Sequence, residues 1–445
     1  MHDIAIREAL VLVDGYWTPT DIGIEDGRFV AFGANVSSAK TTIDAKGLHC
    51  LPGGVDLHVH FNEPGRTHWE GFATGSIAGL AGGNTFVAEM PLNSIPSTTS
   101  LDALKTKLDA IGSQSSLDFG LWGGLVPGNA HELEALAEAG VVGFKAFMSP
   151  SGTDDFVNSD TETLRAGMKA IARTGKILAL HAEDPKTLDA AAAQLGSKRS
   201  AVDWEAGRPQ IAEINAIRIA IDLAIETGCR IHIVHVSSPE ALDLISTAKA
   251  EGLEITCETC PHYLLLTIED AERIGPAAKC APPLRHEFDH NALWTALRHG
   301  QVDTIGSDHS PCPPDLKSGR SFYEAWGGIS GQQHGLPLLW DRSFDDTNLF
   351  ENIITRSTSE PSRLIGLKNK GALELGYDAD FVLARRNVVE TEIRSDQLHY
   401  RHHHSAYCGL RLRTEVVQTW LRGRCVYKDG KPIGEPRGRF IRFPA

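Results

Sequence analysis

Apolar and polar positions alternate along this chain with two different periods, and the change of period marks its organisation. Through residues 1–50 the segments DIAIREALVLVDG, TDIGIEDGRFVAFG and KTTIDAKGLHC alternate apolar with polar residues between turn formers. A period of two predicts half-buried strands, because successive side chains leave a strand on opposite faces. The same texture returns near the end in DADFVLAR, VVQTWLRGRCVYKDG and GRFIRFPA. Each set alone offers too few strands for an independent core. The economical expectation joins residues 1–50 and 366–445 in one small composite β-sandwich domain.

Between them, over residues 51–365, strand-like and helix-like segments alternate. The strand candidates are GVDLHVHF, NTFVAEMP, LDFGLWGGL, VVGFKAFM, KILALHAED, CRIHIVHVSS, LEITCETCPHYL and VDTIGSDHSP. Stretches with helical spacing, such as HELEALAEAG, TETLRAGMKAIARTG and EINAIRIAIDLAIETG, lie between most of them. This alternation predicts an α/β fold, and eight strands with intervening helices favour a (β/α)8 TIM-like barrel. A doubly wound sheet shares the alternation and stays open at this point.

Polar residues at the ends of these strands carry the chemical information. His58 and His60 are two apart, so on a strand they share a face. A single pair of this kind has even odds of being two core histidines. The other strands change that balance: ILALHAED carries His181, IHIVHVSS carries His235, and DTIGSDHSP ends in Asp308. All are metal-ligand types at the same end of different strands, where one barrel mouth would collect them. Lys145 lies within the apolar run GVVGFKAFM. Burying its charge is costly, so it is expected to lose its proton or find a partner. A lone strand lysine more often snorkels out or pairs with a carboxylate. Beside a metal cluster, however, a neutral amine can take up CO2 as a carbamate, an anionic group able to bridge two ions.

Composition narrows the partners. The chain has 445 residues and a net charge of −14, which disfavours a nucleic-acid or anionic-membrane surface. The start MHDIAIREALVLVDG lacks the basic-then-apolar order of a secretory signal, and no apolar run approaches the ~18 residues of a membrane span. Eight scattered cysteines are not the density of a disulfide-stapled domain, so reduced thiols in a cytoplasmic protein are expected. Cys257 and Cys260 form a C-x-x-C with no second pair to complete a zinc set, and are read as packed thiols. HYRHHHSAY at 399–407 lies outside the strand-end series and is read as a loop of the β-domain or a subunit contact.

The ordered markers HVH, GFKAF, LHAE, HVSS, CPHYLLLT and SDHSP resemble those of the cyclic amidohydrolases, a family that includes dihydroorotases, hydantoinases and allantoinases. The resemblance covers nearly the whole chain. It implies that His58, His60, Lys145 and Asp308 ligate the more buried of two divalent metal ions. Lys145, His181 and His235 would ligate the second, with carboxylated Lys145 bridging both. Zinc is the first expectation, with cobalt, manganese or iron as alternatives. The implied reaction is attack of a bridging hydroxide on the amide of a small cyclic ureide, with Asp308 moving the proton to the leaving nitrogen. Assembly as a homodimer or homotetramer is also implied.

Within the family, HWEG, AEMPLNSIPST, CETCPHY, KCAPPLR, SDHSPCPPDLK and AWGGISG are most similar to the allantoinase branch. A physical argument points the same way. Dihydroorotases resemble HxHxREPG after the first strand, where arginine pairs with the substrate carboxylate; this chain has neutral Asn62 there. Losing that bond should penalise a carboxylated substrate by ~1.5–3 kcal/mol. Arg66, four residues on, is an alternative carrier of the charge. Against hydantoinases, GFKAFMSPSG lacks a tyrosine shortly after the lysine. Asn62, Arg66, Asn93 and Ser310 are the candidate substrate contacts, although Asn and Ser more often serve turns and caps. A hydantoinase, a dihydroorotase and a non-catalytic scaffold stay open as alternatives.

Overall fold

The computed structural model describes residues 1–196 and 198–443. In the middle of the chain the strands are parallel and arranged in two arcs. One arc holds β1 (Gly54–Val59), β2 (Asn84–Glu89) and β3 (Asp118–Leu121). The other runs from the short strand Gly123–Gly124 through β4 (Phe144–Phe147), β5 (Ile177–His181), β6 (Arg230–Ile233) and β7 (Ile255–Thr259) to β8 (Thr304–Ile305). Spatial order follows chain order. The arcs meet where Val142 N donates to Leu121 O at 2.8 Å, and again where His60 N donates to His309 O at 2.7 Å.

β1, β2, β3 and β5 are buried at every position, which explains their near-continuous apolar runs. Helices cover the outside, and their ends follow the local chemistry. Asp160 caps Thr161–Thr174 by accepting from Thr163 N, and Gly175 closes that helix at φ +69°. Two expected strands are shorter than their apolar runs. PHYL does not extend β7: Pro261 cannot donate to a ladder and instead opens the helix Pro261–Leu265. β8 spans two residues, and the left-handed turn at Asp308, φ +43°, takes the chain out of strand geometry soon after it.

The two ends of the chain meet in one hydrogen-bonded sheet of nine strands; the two layers of a sandwich are not separate sheets here. His49–Pro52 joins the halves, pairing antiparallel with Phe381–Glu392 and parallel with His2–Val13. Ile22, Phe29, Phe381 and Trp420 build its core, with the rings of Phe381 and Trp420 stacked at 5.2 Å. GRFIRFPA, expected in this sheet, goes elsewhere. Phe119 N donates to Arg439 O at 2.9 Å and Ile441 N donates to Phe119 O at 2.8 Å. The tail thus satisfies backbone groups on the free side of β3 that would otherwise be orphaned; Pro444 and Ala445 lie outside the described residues. Among the described residues no helix is long and apolar enough to cross a membrane.

Candidate metal centre

β1 ends by placing His58 and His60 on one face, and both side chains are buried. His58 Nε2 lies 3.2 Å and His60 Nε2 3.3 Å from the same oxygen, Asp308 Oδ1. Two donors that share a tetrahedral ion at ~2.0–2.1 Å stand about 3.3 Å apart, so these spacings suit one metal. The ligand atoms of His58, His60 and Asp308 all lie within 4.8 Å of one another.

His181 and His235 converge from the ends of β5 and β6. Their Nδ1 and Nε2 atoms are 3.0 Å apart, and the His58 and His235 rings are 5.5 Å apart. Both His235 and Asp308 adopt left-handed backbone, φ +42° and +43°. For residues other than glycine this costs about 1–3 kcal/mol and persists where surrounding structure holds it, commonly at functional sites.

Lys145, in β4, is fully buried, and its Nζ has no hydrogen-bond partner. Burial pushes its pKa down to about 8, against the opposing pull of Asp308 and Glu258. An orphaned, readily neutralised amine beside clustered ligand atoms fits the carbamate chemistry expected of it. His60 Nδ1 and His235 Nδ1 are likewise buried without partners. Burial lowers the pKa of His60, His181 and His235, favouring the neutral imidazoles that bind metals. For Asp308 burial acts upward, yet His58 and His60 hold the carboxyl well below its usual range, so it stays ionised.

Several supporting residues were not singled out from sequence. His58 Nδ1 donates to Glu258 Oε1 at 2.7 Å, which leaves Nε2 free for a metal. Glu258 sits between the two cysteines of CETC. Burial raises its pKa, but His58 and His232 outweigh that and pull it down to about 2. His181 Nε2 donates to Glu183 Oε2 at 2.7 Å, and Arg208 Nε donates to Glu183 Oε1 at 3.0 Å. Phe147 stacks on His181 at 4.3 Å with planes 9° apart. The visible signal for Glu183 is its spacing in LHAED, two residues beyond the histidine.

A cavity of about 340 Å³ opens over the cluster, lined by His58, His60, His181, His235 and Asp308. Asn93 and Ser310 line it as expected, but Asn62 and Arg66 do not. Asn62 is fully buried at φ +65°, with Nδ2 donating to Pro311 O at 3.2 Å. That left-handed backbone takes Asn62 out of the strand geometry of His58 and His60, and the position singled out by its resemblance to a substrate-binding arginine does not line the cavity. Arg66 lies over Trp69 and Trp326, 4.8 and 5.7 Å from their centroids; Trp326 lines the cavity in its place. A larger cavity of about 870 Å³ touches Asp3, Arg28 and Arg422 and none of these histidines.

The histidine-rich stretch 399–407 is a strap across the loops of this end. Arg401 Nε donates to Glu70 O at 2.6 Å, His404 Nε2 to Cys312 O at 2.8 Å, and Ser405 Oγ to Ser330 O at 2.6 Å. The eight cysteines are free, with Cys257 and Cys260 buried as packed thiols.

Parallel strands lie under helices, and His58, His60 and Asp308 gathered at their ends could hold a metal ion. The chain belongs to the amidohydrolase family, whose profile matches residues 50–426. Its relatives include the allantoinase of Rubrobacter xylanophilus, 47% identical over 99% of this chain and 97% of that protein. The allantoinase of Bacillus velezensis is 42% identical over 96% and 95%. Among solved structures, the L-hydantoinase (dihydropyrimidinase) of Arthrobacter aurescens superposes with a TM-score of 0.95 at 33% identity, covering 99% of this chain and 100% of that one.

Proposed function

We propose that this enzyme hydrolyses the ring amide of allantoin to give allantoate, using two divalent metal ions, with zinc the first expectation. One observation carries the reading: Asp308, His58, His60, His181 and His235, from four strand ends, converge at ligand spacing around the buried, unpartnered Lys145. In the proposal His58, His60, carboxylated Lys145 and Asp308 hold one ion, and Lys145, His181 and His235 hold the other. The strands form a single closed (β/α)8 barrel over 51–365, and residues 1–50 and 366–445 form the composite β-domain, apart from the tail around Phe440 that pairs with β3. When bound, the ions supply Lewis acidity toward the scissile carbonyl and activate water at neutral pH.

The chain's own residues do the rest. Asp308, held ionised, accepts a proton from the attacking water and returns it to the ring nitrogen as the C–N bond breaks. Asn93 and Ser310 line the cavity and offer an amide and a hydroxyl to the ureide's polar groups. Asn62 and Arg66 act from behind the wall, Arg66 through its stack on Trp326. Relatives named allantoinase at 42–47% identity support the substrate. The L-hydantoinase likeness favours a second reading, an enzyme acting on simple hydantoins.

Comparison of kcat/KM on allantoin, hydantoin and dihydroorotate decides between them. Preference for allantoin is expected. A preference for hydantoin would install the second reading, and one for dihydroorotate would end both. The proposal extends to a cytoplasmic homo-oligomer, dimer or tetramer, whose mass light scattering reads directly.

A further inference from the structure

We propose that Lys279 forms a subsite for the substituent on the substrate ring, its ammonium donating to the carbonyl oxygen of allantoin's ureido arm. This deepens the allantoin reading and rests on it.

Lys279 lines the same cavity as His58 and Asp308 and is 4% exposed. Its Nζ donates to Ala325 O at 2.6 Å and, more weakly, to Tyr323 O at 3.4 Å. It sits 4.1 Å from the centre of the Trp204 ring. Those contacts hold the amine in place without neutralising it. Among the described residues it has no carboxylate within ion-pair distance. Arg208, the other cation lining the cavity, is matched by Glu183. Glu324 also lines the cavity, but its carboxylate accepts from Ser321 N and Oγ at 3.1 and 2.8 Å. A buried cation without a counter-charge needs strong acceptors, and two backbone carbonyls leave one of its three N–H groups to place.

The same wall holds a second unmatched donor. Trp326 lines the cavity, and its indole N–H is buried with no hydrogen-bond partner. The reacting amide must lie at the histidine–aspartate cluster, so a substituent on the ring must reach other parts of the wall. A ureido carbonyl is a neutral, strongly accepting oxygen, suited to donors that lack partners. Burial, with Lys317 and Arg208 adding to it, moves Lys279 down to about 7. The third hydrogen exists only on the ammonium, because a neutral amine would give both of its N–H groups to the two backbone carbonyls, so the subsite works with Lys279 protonated.

The test uses the metal-loaded enzyme with Lys279→Met and Lys279→Gln, each assayed on allantoin and on unsubstituted hydantoin. The expected result is a fall of about tenfold in the allantoin-to-hydantoin ratio of kcat/KM for Lys279→Met, mainly through KM for allantoin. Lys279→Gln keeps an N–H donor and should fall between that variant and the wild type. An unchanged ratio, with both substrates losing equally, would reduce Lys279 to a tether for the 323–325 loop and overturn the subsite. If circular dichroism shows that Lys279→Met is unfolded, Lys279→Gln decides alone: a lowered ratio supports the subsite and an unchanged one rejects it. A wild-type enzyme that turned over hydantoin but not allantoin would refute the allantoin reading before any variant was made, and this subsite with it.

Discussion

His181 Nδ1 faces His235 Nε2 at 3.0 Å, while the other nitrogen of His181 is tied to Glu183 at 2.7 Å. Glu183 is in turn paired with Arg208, and its carboxyl is drawn down to about 2 because Arg208 and His181 outweigh the opposing effect of burial. The carboxylate therefore fixes the proton of His181 on Nε2 and presents a lone pair at Nδ1. Such outer partners are worth about 10–100-fold in metal affinity. Glu183→Gln is expected to weaken zinc binding by that factor, measured by competition with a chromophoric chelator. Undiminished affinity would detach Glu183 from the metal site.

Lys145 is the residue whose environment is hardest to explain without chemistry on its side chain. It is buried among Asp308, Glu258 and the cluster histidines, and its amine has no hydrogen-bond partner. Lys145→Ala is expected to keep the far-ultraviolet circular dichroism of the wild type, lose turnover, and retain less than one metal ion per chain. Short carboxylates added to the buffer should restore part of the activity. Wild-type turnover without such an additive would refute a role as bridge.

That His58, His60, His181, His235 and Asp308 come together was legible in sequence because they recur at strand ends, and strand alternation adds to this for His58 and His60. Their supports were not. Glu258 binds His58 across 200 positions of chain, and nothing local to CETC reports that distance. Asn62 does not line the cavity for a reason its spacing does not show: its φ of +65° departs from strand geometry, a backbone that asparagine adopts more readily than most residues. The tail around Phe440 has strand texture that tells nothing of its partner, so its pairing with Phe119 instead of the terminal sheet was not visible.

Glu213 gives a pH dependence from a group that is not itself among the proposed metal ligands. It is buried, accepts from Ser237 N at 2.9 Å and Ser237 Oγ at 2.8 Å, and burial raises its pKa to about 7 despite Arg285. The folded chain therefore keeps this proton to a higher pH than the unfolded chain, whose carboxyl titrates near ~4.3. Its contribution is complete below ~4.3 and is lost as pH rises through about 7. Glu213→Gln removes that titration while keeping a similar shape. Between pH 5 and pH 8, at fixed metal concentration, the wild-type Tm should decline more than that of Glu213→Gln. Parallel declines would show that the Glu213 carboxyl does not hold its proton to a higher pH in the folded chain.

The junction between the central strands and the terminal sheet rests on a buried charge cluster centred on Lys370. Its ammonium pairs with Asp118 of β3 at 2.9 Å, with Asp378 at 3.2 Å and, more tightly, with Asp380; Arg422 also pairs with Asp118. The side chains of Asp118 and Asp380 are 1% and 0% exposed, and burial pushes the Asp380 carboxyl upward even with Lys370 present. Lys370→Met would leave those carboxylates facing each other without their shared cation. Removing one partner of a buried pair costs about 3–5 kcal/mol, far more than the loss of a surface ion pair. Chemical denaturation should show a loss of that size. Adding Asp380→Asn to Lys370→Met should recover part of it, because the second change removes one of the stranded charges. Additive losses in the double variant would mean that Lys370 and Asp380 do not interact, contrary to the geometry.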